Sequence, residues 1–395
     1  MPVPEPAASV RYVDHALLFR TSDGNFSARV QHRLQFRYAT PFDEDPRTFG
    51  DLDRNTSSFM VRRARLRLRG HAFRPWLEWT FQYDWAQPVL RDFSLTLARF
   101  SWFKVLIGRR KVFWNDERVA SSGQQQFVNR SIVNDLFTVD RQQGVQVFGR
   151  VLPGSVADLT YYAGVFSGRG VGPRNNDDHH MMYAGRLQWN ALGGEMPFSQ
   201  SDVEGHDAPV LNVAFGAATN ISDCTAFETD ARSCRGLRTP RSDLTSFPNP
   251  ETAGAAKPGQ FQMRQAFAEF RLMWRGLYAK HEFHWKRVLD RTMAEGAAGR
   301  VTRLRGSLVQ VGYFPHHLVP LVPKSLELAV RYAFVDPVIT VPHTLQTESS
   351  AVINWFFDGH ANKASFEVSR LTVADPAAKA TRAETRIRLQ WDISF

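Results

Sequence analysis

Cysteine is almost absent from this chain: among 395 residues only Cys224 and Cys234 occur. A disulfide-stapled scaffold is thereby excluded. The two cysteines lie close together in a polar segment, where a small loop disulfide is expected; it would suit an oxidising compartment and add roughly 2–3 kcal/mol to that loop. Long apolar runs are missing too. No stretch reaches the about 18 apolar residues that a spanning helix needs, and mean hydropathy is −0.34. No nucleotide-binding glycine pattern, zinc spacing or nucleophile elbow stands in a supporting context, so neither an enzyme nor a cofactor is expected. The start, MPVPEPAASV, lacks a basic stretch followed by an apolar one. Either an export signal has been removed or the chain is not exported.

What is abundant is charge in alternation. The segment VRRARLRLRG at 61–70 sets Arg63, Arg65, Arg67 and Arg69 against Ala64, Leu66 and Leu68. Period two belongs to a strand, whose successive side chains point to opposite faces. The pattern recurs. Arg29, Gln31, Arg33, Gln35 and Arg37 oppose Val30, Leu34 and Phe36. Arg382, Glu384, Arg386, Arg388 and Gln390 oppose Ile387, Leu389 and Trp391. Lys+Arg number 49 and Asp+Glu 39, for a formal charge of +10.

About sixteen such strands are predicted between 26 and 395, each near the ~9–11 residues that cross a bilayer when tilted. A further short strand is expected at 14–21. Long connections, at 41–57, 112–141, 167–179, 220–260, 290–299, 336–347 and 374–381, alternate with short ones. The segment 192–208 is the main misfit. Up-and-down transmembrane barrels sort their loops this way. The expected architecture is an all-β, sixteen-stranded antiparallel transmembrane barrel over 26–395, behind an N-terminal segment 1–25.

A soluble sandwich would need unusually long strands, and a nucleic-acid binder would gather its basic residues in one patch. Here they run through both ends of the chain, mixed with Glu78, Glu282 and Glu384. In a membrane barrel the register follows from energy. An arginine facing lipid at the midplane costs roughly 2–4 kcal/mol, so flipping 61–70 by one residue would cost on the order of 10 kcal/mol. The expected pore-lining, anion-attracting ladder is Arg29, Arg33, Arg37, Arg63, Arg65, Arg67, Arg69, Arg386 and Arg388. If the turn at 72–73 sets the pairing, Arg65 falls roughly opposite Glu78.

The segments FMVRRARLRLRG (59–70), WTFQYDW (79–85), RDFSLTLARF (91–100), GRRKVFW (108–114), RQQGVQVFGR (141–150) and LRLQWDISF (387–395) together resemble the phosphate-selective porins O and P of bacterial outer membranes. The resemblance implies a homotrimer of sixteen-stranded barrels in outer-membrane lipid. It also implies a third outer loop folded into the lumen, here 112–141, and passive diffusion of phosphate or other small inorganic or phosphorylated anions. Constriction candidates are Lys111, Arg118, Arg130 and Arg141. The loop itself contains no lysine and carries Asp116, Glu117, Asp135 and Asp140, so anion preference is better supported than phosphate specificity. A weakly selective, structural or adhesive barrel, or a soluble β-rich binding protein, stays open. The motif DDHHMM at 177–182 is not expected to hold a metal, because adjacent side chains seldom converge on one ion.

Overall fold

The computed structural model describes residues 8–171, 175–227 and 256–395. Two short strands open the chain, β1 (Ala8–Tyr12) and β2 (Leu17–Thr21). Sixteen more follow: β3 (Ser27–Thr40), β4 (Ser58–Ala72), β5 (Arg74–Asp84), β6 (Val89–Leu97), β7 (Lys104–Lys111), β8 (Arg141–Val151), β9 (Leu159–Phe166), β10 (Met182–Leu192), β11 (Val210–Ser222), β12 (Phe261–Trp274), β13 (Leu277–Asp290), β14 (Val301–Tyr313), β15 (Leu326–Asp336), β16 (Gln346–Asp358), β17 (Asn362–Asp375) and β18 (Ala380–Ser394). Each pairs antiparallel with the next, and β18 returns to β3 with Ile387 opposite Thr40 and Ser394 opposite Arg33. The sixteen strands thus close into a barrel, with no free edge between them.

The barrel exists because a two-residue period runs along its strands, interrupted only locally by bulges such as that at Arg62 and Arg63. On β12, Phe261, Met263, Gln265, Phe267, Glu269, Arg271 and Met273 are all buried, while Arg264, Phe270 and Trp274 between them are exposed. Burial runs opposite to that of a soluble protein. Arg37, Arg271 and Arg388 are among the most buried side chains, whereas Phe59, Phe93 and Trp85 stand exposed on the outside. That is the distribution a lipid-facing exterior requires.

The connections sort by length only in part: the short-turn rim also carries 193–209 and 314–325, and the connection expected to be long at 374–381 is the four-residue link 376–379. One rim carries the short turns, including Arg275–Gly276 between β12 and β13 and 359–361 between β16 and β17. At the first, both residues have positive φ, 45° and 77°, as a two-residue hairpin demands. A Cβ on Gly276 would also stand 2.4 Å from the His317 ring. The opposite rim carries 41–57, which contains α1 (Phe49–Leu52), and 112–140, which contains α2 (Asp116–Val119) and α3 (Ile132–Phe137). Both pack on inward-facing side chains. Phe42, Leu52, Ile132, Val133, Leu136 and Phe137 form one apolar cluster with Phe261, Leu304, Leu308, Val335 and Leu371. The apolar core therefore lies inside the barrel, beneath its long loops.

The N-terminal strands correct one expectation. In place of a single strand at 14–21 there is a hairpin, and it joins the barrel. Leu17–Arg20 of β2 pair with Val30–Ser27 of β3, the stretch that β18 leaves uncovered. The C-terminus seals the junction, with Phe395 and His32 exchanging backbone hydrogen bonds of 2.7 and 3.0 Å.

Candidate functional site

The β3–β4 register sets Arg29 opposite Arg69, Gln31 opposite Arg67, Arg33 opposite Arg65 and Gln35 opposite Arg63. Like charges directly opposite each other destabilise a sheet, so the local chemistry turns on what neutralises them. The expected pairing of Arg65 with Glu78 is not found. A register shift between His71 and Ala72, beside Phe73 at φ 64°, slides β5 so that Arg65 faces Asp84 and Glu78 faces His71.

The nine arginines of the expected ladder divide into two groups. Toward the long-loop rim they are engaged. Arg33 Nε donates to Asp392 at 2.8 Å and Arg33 Nη1 to Ser121 at 3.2 Å. Arg37 donates to Asp43 at 2.8 Å and to Gln390. Arg63 donates to Gln35, and Arg65 to Asp84 at 2.7 Å and Ser122 at 3.1 Å. Arg386 donates to Asp45 and Arg388 to Glu367. Burial would raise the Asp43 carboxyl, but Arg37, Arg388 and Arg62 outweigh it and hold it well below the usual carboxylate range. Toward the short-turn rim the pattern changes. Arg29 meets only the exposed Asp14, at 3.4 Å. Arg67 and Arg69 have no hydrogen-bond or ion-pair partner among the described residues. Arg67 instead faces the like charges of Arg69 and Arg110, with Asp92 as the nearby opposite charge. Arg110, opposite Gln142 on β8, was missed as a candidate although it lies in GRRKVFW; its inward parity was the available signal.

The four constriction candidates hold the 112–140 segment to itself and to the wall. Lys111 Nζ donates to the carbonyls of Val119 and Ala120, each at 3.0 Å. Arg130 donates to the carbonyls of Glu117 at 2.7 Å and Ala120 at 2.9 Å. Arg118 pairs with Asp140, and Arg141 with Asp92 at 2.7 Å. Burial and the neighbouring Arg118 hold the Arg130 guanidinium well below its ordinary value. Burial also raises Glu117, whose carboxylate accepts from Ser131 N at 2.7 Å and Oγ at 2.9 Å.

Across the lumen stands a second charged wall. Glu269, Glu282, Glu348 and Glu367 face inward from β12, β13, β16 and β17, and each accepts a backbone N–H of the 112–140 segment. The donors are Asp116 (2.7 Å), Glu117 (2.9 Å), Ile132 (3.0 Å) and Val128 (2.8 Å) respectively. Three of those amides open α2 or α3, neither of which has a side-chain cap of its own. The first N–H groups of a helix lack intrahelical partners and carry partial positive charge. The wall glutamates supply both the acceptor and the charge, with about 1.5–3 kcal/mol for each such bond. The glutamates are in turn held by cations, Glu269 by Arg186, Glu282 by Lys280, Glu348 by Arg331 and Glu367 by Arg388, and Glu282 also meets the His284 ring at 3.0 Å.

The misfit connection at 193–209 has a structural role. It enters from the short-turn rim and meets the 112–140 segment, with Gln200 N donating to Gln124 O at 2.8 Å and Gln126 N to Gln200 Oε1 at 3.1 Å. Ser199 contacts His360 at 3.2 Å. Burial and Lys363 push His360 down to about 3.

Of the expected disulfide, Cys224 is buried, and Cys234 lies outside the described residues, as does most of the 220–260 loop. His180 of the DDHHMM stretch bonds to Asp178 at 2.6 Å.

A closed sixteen-stranded barrel with an apolar exterior and a charged, hydrogen-bonded interior is an outer-membrane channel of the porin class. The sequence pattern of the phosphate-selective porin O and P family matches residues 33–393, and the chain belongs to that family. No curated protein sequence matches it significantly. Solved structures share the fold at low identity. OmpT of Vibrio cholerae, expressed in the outer membrane, is 9% identical, covers 98% of this chain and 100% of its own, and has a TM-score of 0.57. An anion-selective porin from Comamonas acidovorans is 10% identical, covers 94% of this chain and 100% of its own, and has a TM-score of 0.54. The DcaP channel of Acinetobacter baumannii is 9% identical, covers 95% and 99%, and has a TM-score of 0.54.

Proposed function

We propose that the protein gives small anions, inorganic or phosphorylated, a passive path across the outer membrane along the β4 side of the lumen. The observation that carries this reading is the imbalance between the two walls. The inward glutamates that hold the 112–140 segment are spent on its amides and on cations, whereas Arg67 and Arg69 have no partner of their own among the described residues. In this reading 112–140 forms the constriction. Arg67, Arg69 and Arg110 exchange part of an anion's hydration shell for guanidinium contacts, which suit phosphate and carboxylate geometry. Contacts spread over several sites keep each one weak enough to release. The resident cations of 112–140 are turned to its own carbonyls and acids, which favours a general anion path over a tight phosphate site. Assembly as a homotrimer fits this class; one structural neighbour, OmpT of Vibrio cholerae, was solved in a trimer form.

The test is a planar-bilayer recording of the purified protein under a tenfold KCl gradient. A reversal potential of the sign for chloride supports the reading, and block by added phosphate would narrow it to phosphate. Cation preference, or no channels from folded protein, would overturn it.

A further inference from the structure

The outward face of β10–β14 carries charge where lipid should be. The register aligns Tyr183, Thr219, Arg264, Arg287 and Arg303 in one row across five neighbouring strands. All five have outward parity, and Arg264 and Arg303 are exposed. Among the described residues, none of the three guanidiniums has a hydrogen bond or an ion pair. Among the described residues, no carboxylate at this end of the barrel pairs with the row. Asp178 holds His180, Asp177 accepts from Ser222 and from the amides of Asp223 and Gly259, and Asp290 accepts from Gln260 and Thr292. Directly opposed side chains in a sheet stand only about 5 Å apart at Cβ, so three arginines side by side call for an anion between them.

Their depth says which kind. The row lies three residues from the Asp290 end of β13, at the long-loop rim, and Trp285 is the next outward residue below Arg287. An indole at that level marks the boundary between hydrocarbon and headgroups. The next outward row is made of small residues, Ala163, Gly185, Ala217 and Ala266, before it reaches Trp285. Here the wall is hollowed into an apolar groove of about 640 Å³, lined by Val145, Val147, Ala163, Val165 and Ala217, with Arg264 at its border. A second hollow of about 570 Å³, bordered by His179, His180, Gln262 and again Arg264, adjoins it toward the rim. Apolar below, basic above, and joined at one arginine, this is the outline of an amphiphile with an anionic head. A second copy of the same chain would set arginine against a chain that itself carries a charge of +10.

We propose that this face binds a phosphate-bearing acyl lipid of the outer leaflet, with its phosphate among Arg264, Arg287 and Arg303 and an acyl chain in the groove beneath. The test uses the full chain in neutral detergent and diphosphorylated lipid A as the probe, read by native mass spectrometry and by the shift in unfolding temperature. Dephosphorylated lipid A and inorganic phosphate serve as the comparison arms. Retention of the diphosphorylated lipid alone is expected. An arginine near an anionic lipid surface contributes about fivefold in affinity, so R264Q/R287Q/R303Q should lose on the order of 100-fold. Ala217→Phe, which fills the groove and leaves the charges in place, should also weaken binding. Both variants should keep the wild-type reversal potential, because the altered residues face outward; this separates the lipid site from the anion path. Equal binding of the dephosphorylated lipid, competition by inorganic phosphate alone, undiminished binding by the triple variant, or a triple variant that loses its oligomeric mass would each overturn the proposal.

Discussion

The wall built from β3 and β4 and the wall built from β12 to β17 use the same device for different ends. Both place a charged residue at inward positions of successive strands. On the far wall the charges are complementary and local: Arg331 meets Glu348 on the neighbouring strand, and Lys280 meets Glu282 on its own. What remains of each carboxylate is given to a loop amide. On the near wall arginine faces arginine, and the carboxylates come from elsewhere, from Asp43 in a loop, from Asp84 on β5 and from Asp392 on β18. That supply ends before Arg67 and Arg69. In the proposed reading one wall is structural, and the other keeps charge available to what passes.

The largest effect should come from breaking the far wall. Glu282 is buried and serves Lys280, His284, Asn115 and the Glu117 amide together. Glu282→Ala should cost about 3–5 kcal/mol, because it strands buried partners, and should free part of the 112–140 segment. Urea unfolding in detergent reads the first and raised single-channel conductance the second; wild-type values of both would erase the distinction between the walls. On the near wall, R67E/R69E should cut the chloride-over-potassium permeability ratio by about tenfold, equivalent to roughly 1.4 kcal/mol, with little change in stability. Unaltered selectivity would show that these two arginines do not meet the permeating ion.

Salt should sharpen the contrast more gently. The Debye length falls from about 30 Å at 0.01 M to about 3 Å at 1 M. Anion preference should weaken across that range, while unfolding in detergent, governed by buried pairs, should move less. The smallest effect concerns His360, held neutral between the 193–209 connection and Lys363. Its folded value of about 3 lies below the ordinary 6.5. The folded state therefore binds the proton less well than the unfolded chain, and stability present above pH 6.5 is lost as pH falls from there toward 3. Protection factors for amide exchange in 193–209 should fall over that window, and His360→Gln should remove the dependence.

Much of the fold was legible along the chain. The sixteen barrel strands were expected, since a sustained two-residue alternation fits only one secondary structure. The sorting of long and short connections was plain for most of the chain, with 193–209, 314–325 and 376–379 as exceptions. The register was not. A bulge at His71 and Ala72 carried Arg65 from Glu78 to Asp84, and bulges leave little trace in hydrophobic pattern. The hairpin at β1 and β2 escaped because its strands are five residues each. The column of inward glutamates was visible in parity, but not its use, because the amides it holds belong to an irregular segment.

The sequence by itself determined which side of each strand is polar, and hence that the chain lines a barrel whose interior is charged; that information is local, repeating every second residue. Only the tertiary structure decided which of those charges are spent. Arg33 is neutralised by Asp392 from across the barrel closure, 359 positions away, while Arg67, on the same two-residue spacing, has no such partner among the described residues. Parity is a property of one strand. Neutralisation belongs to whichever groups the closed barrel and its loops bring within hydrogen-bond reach.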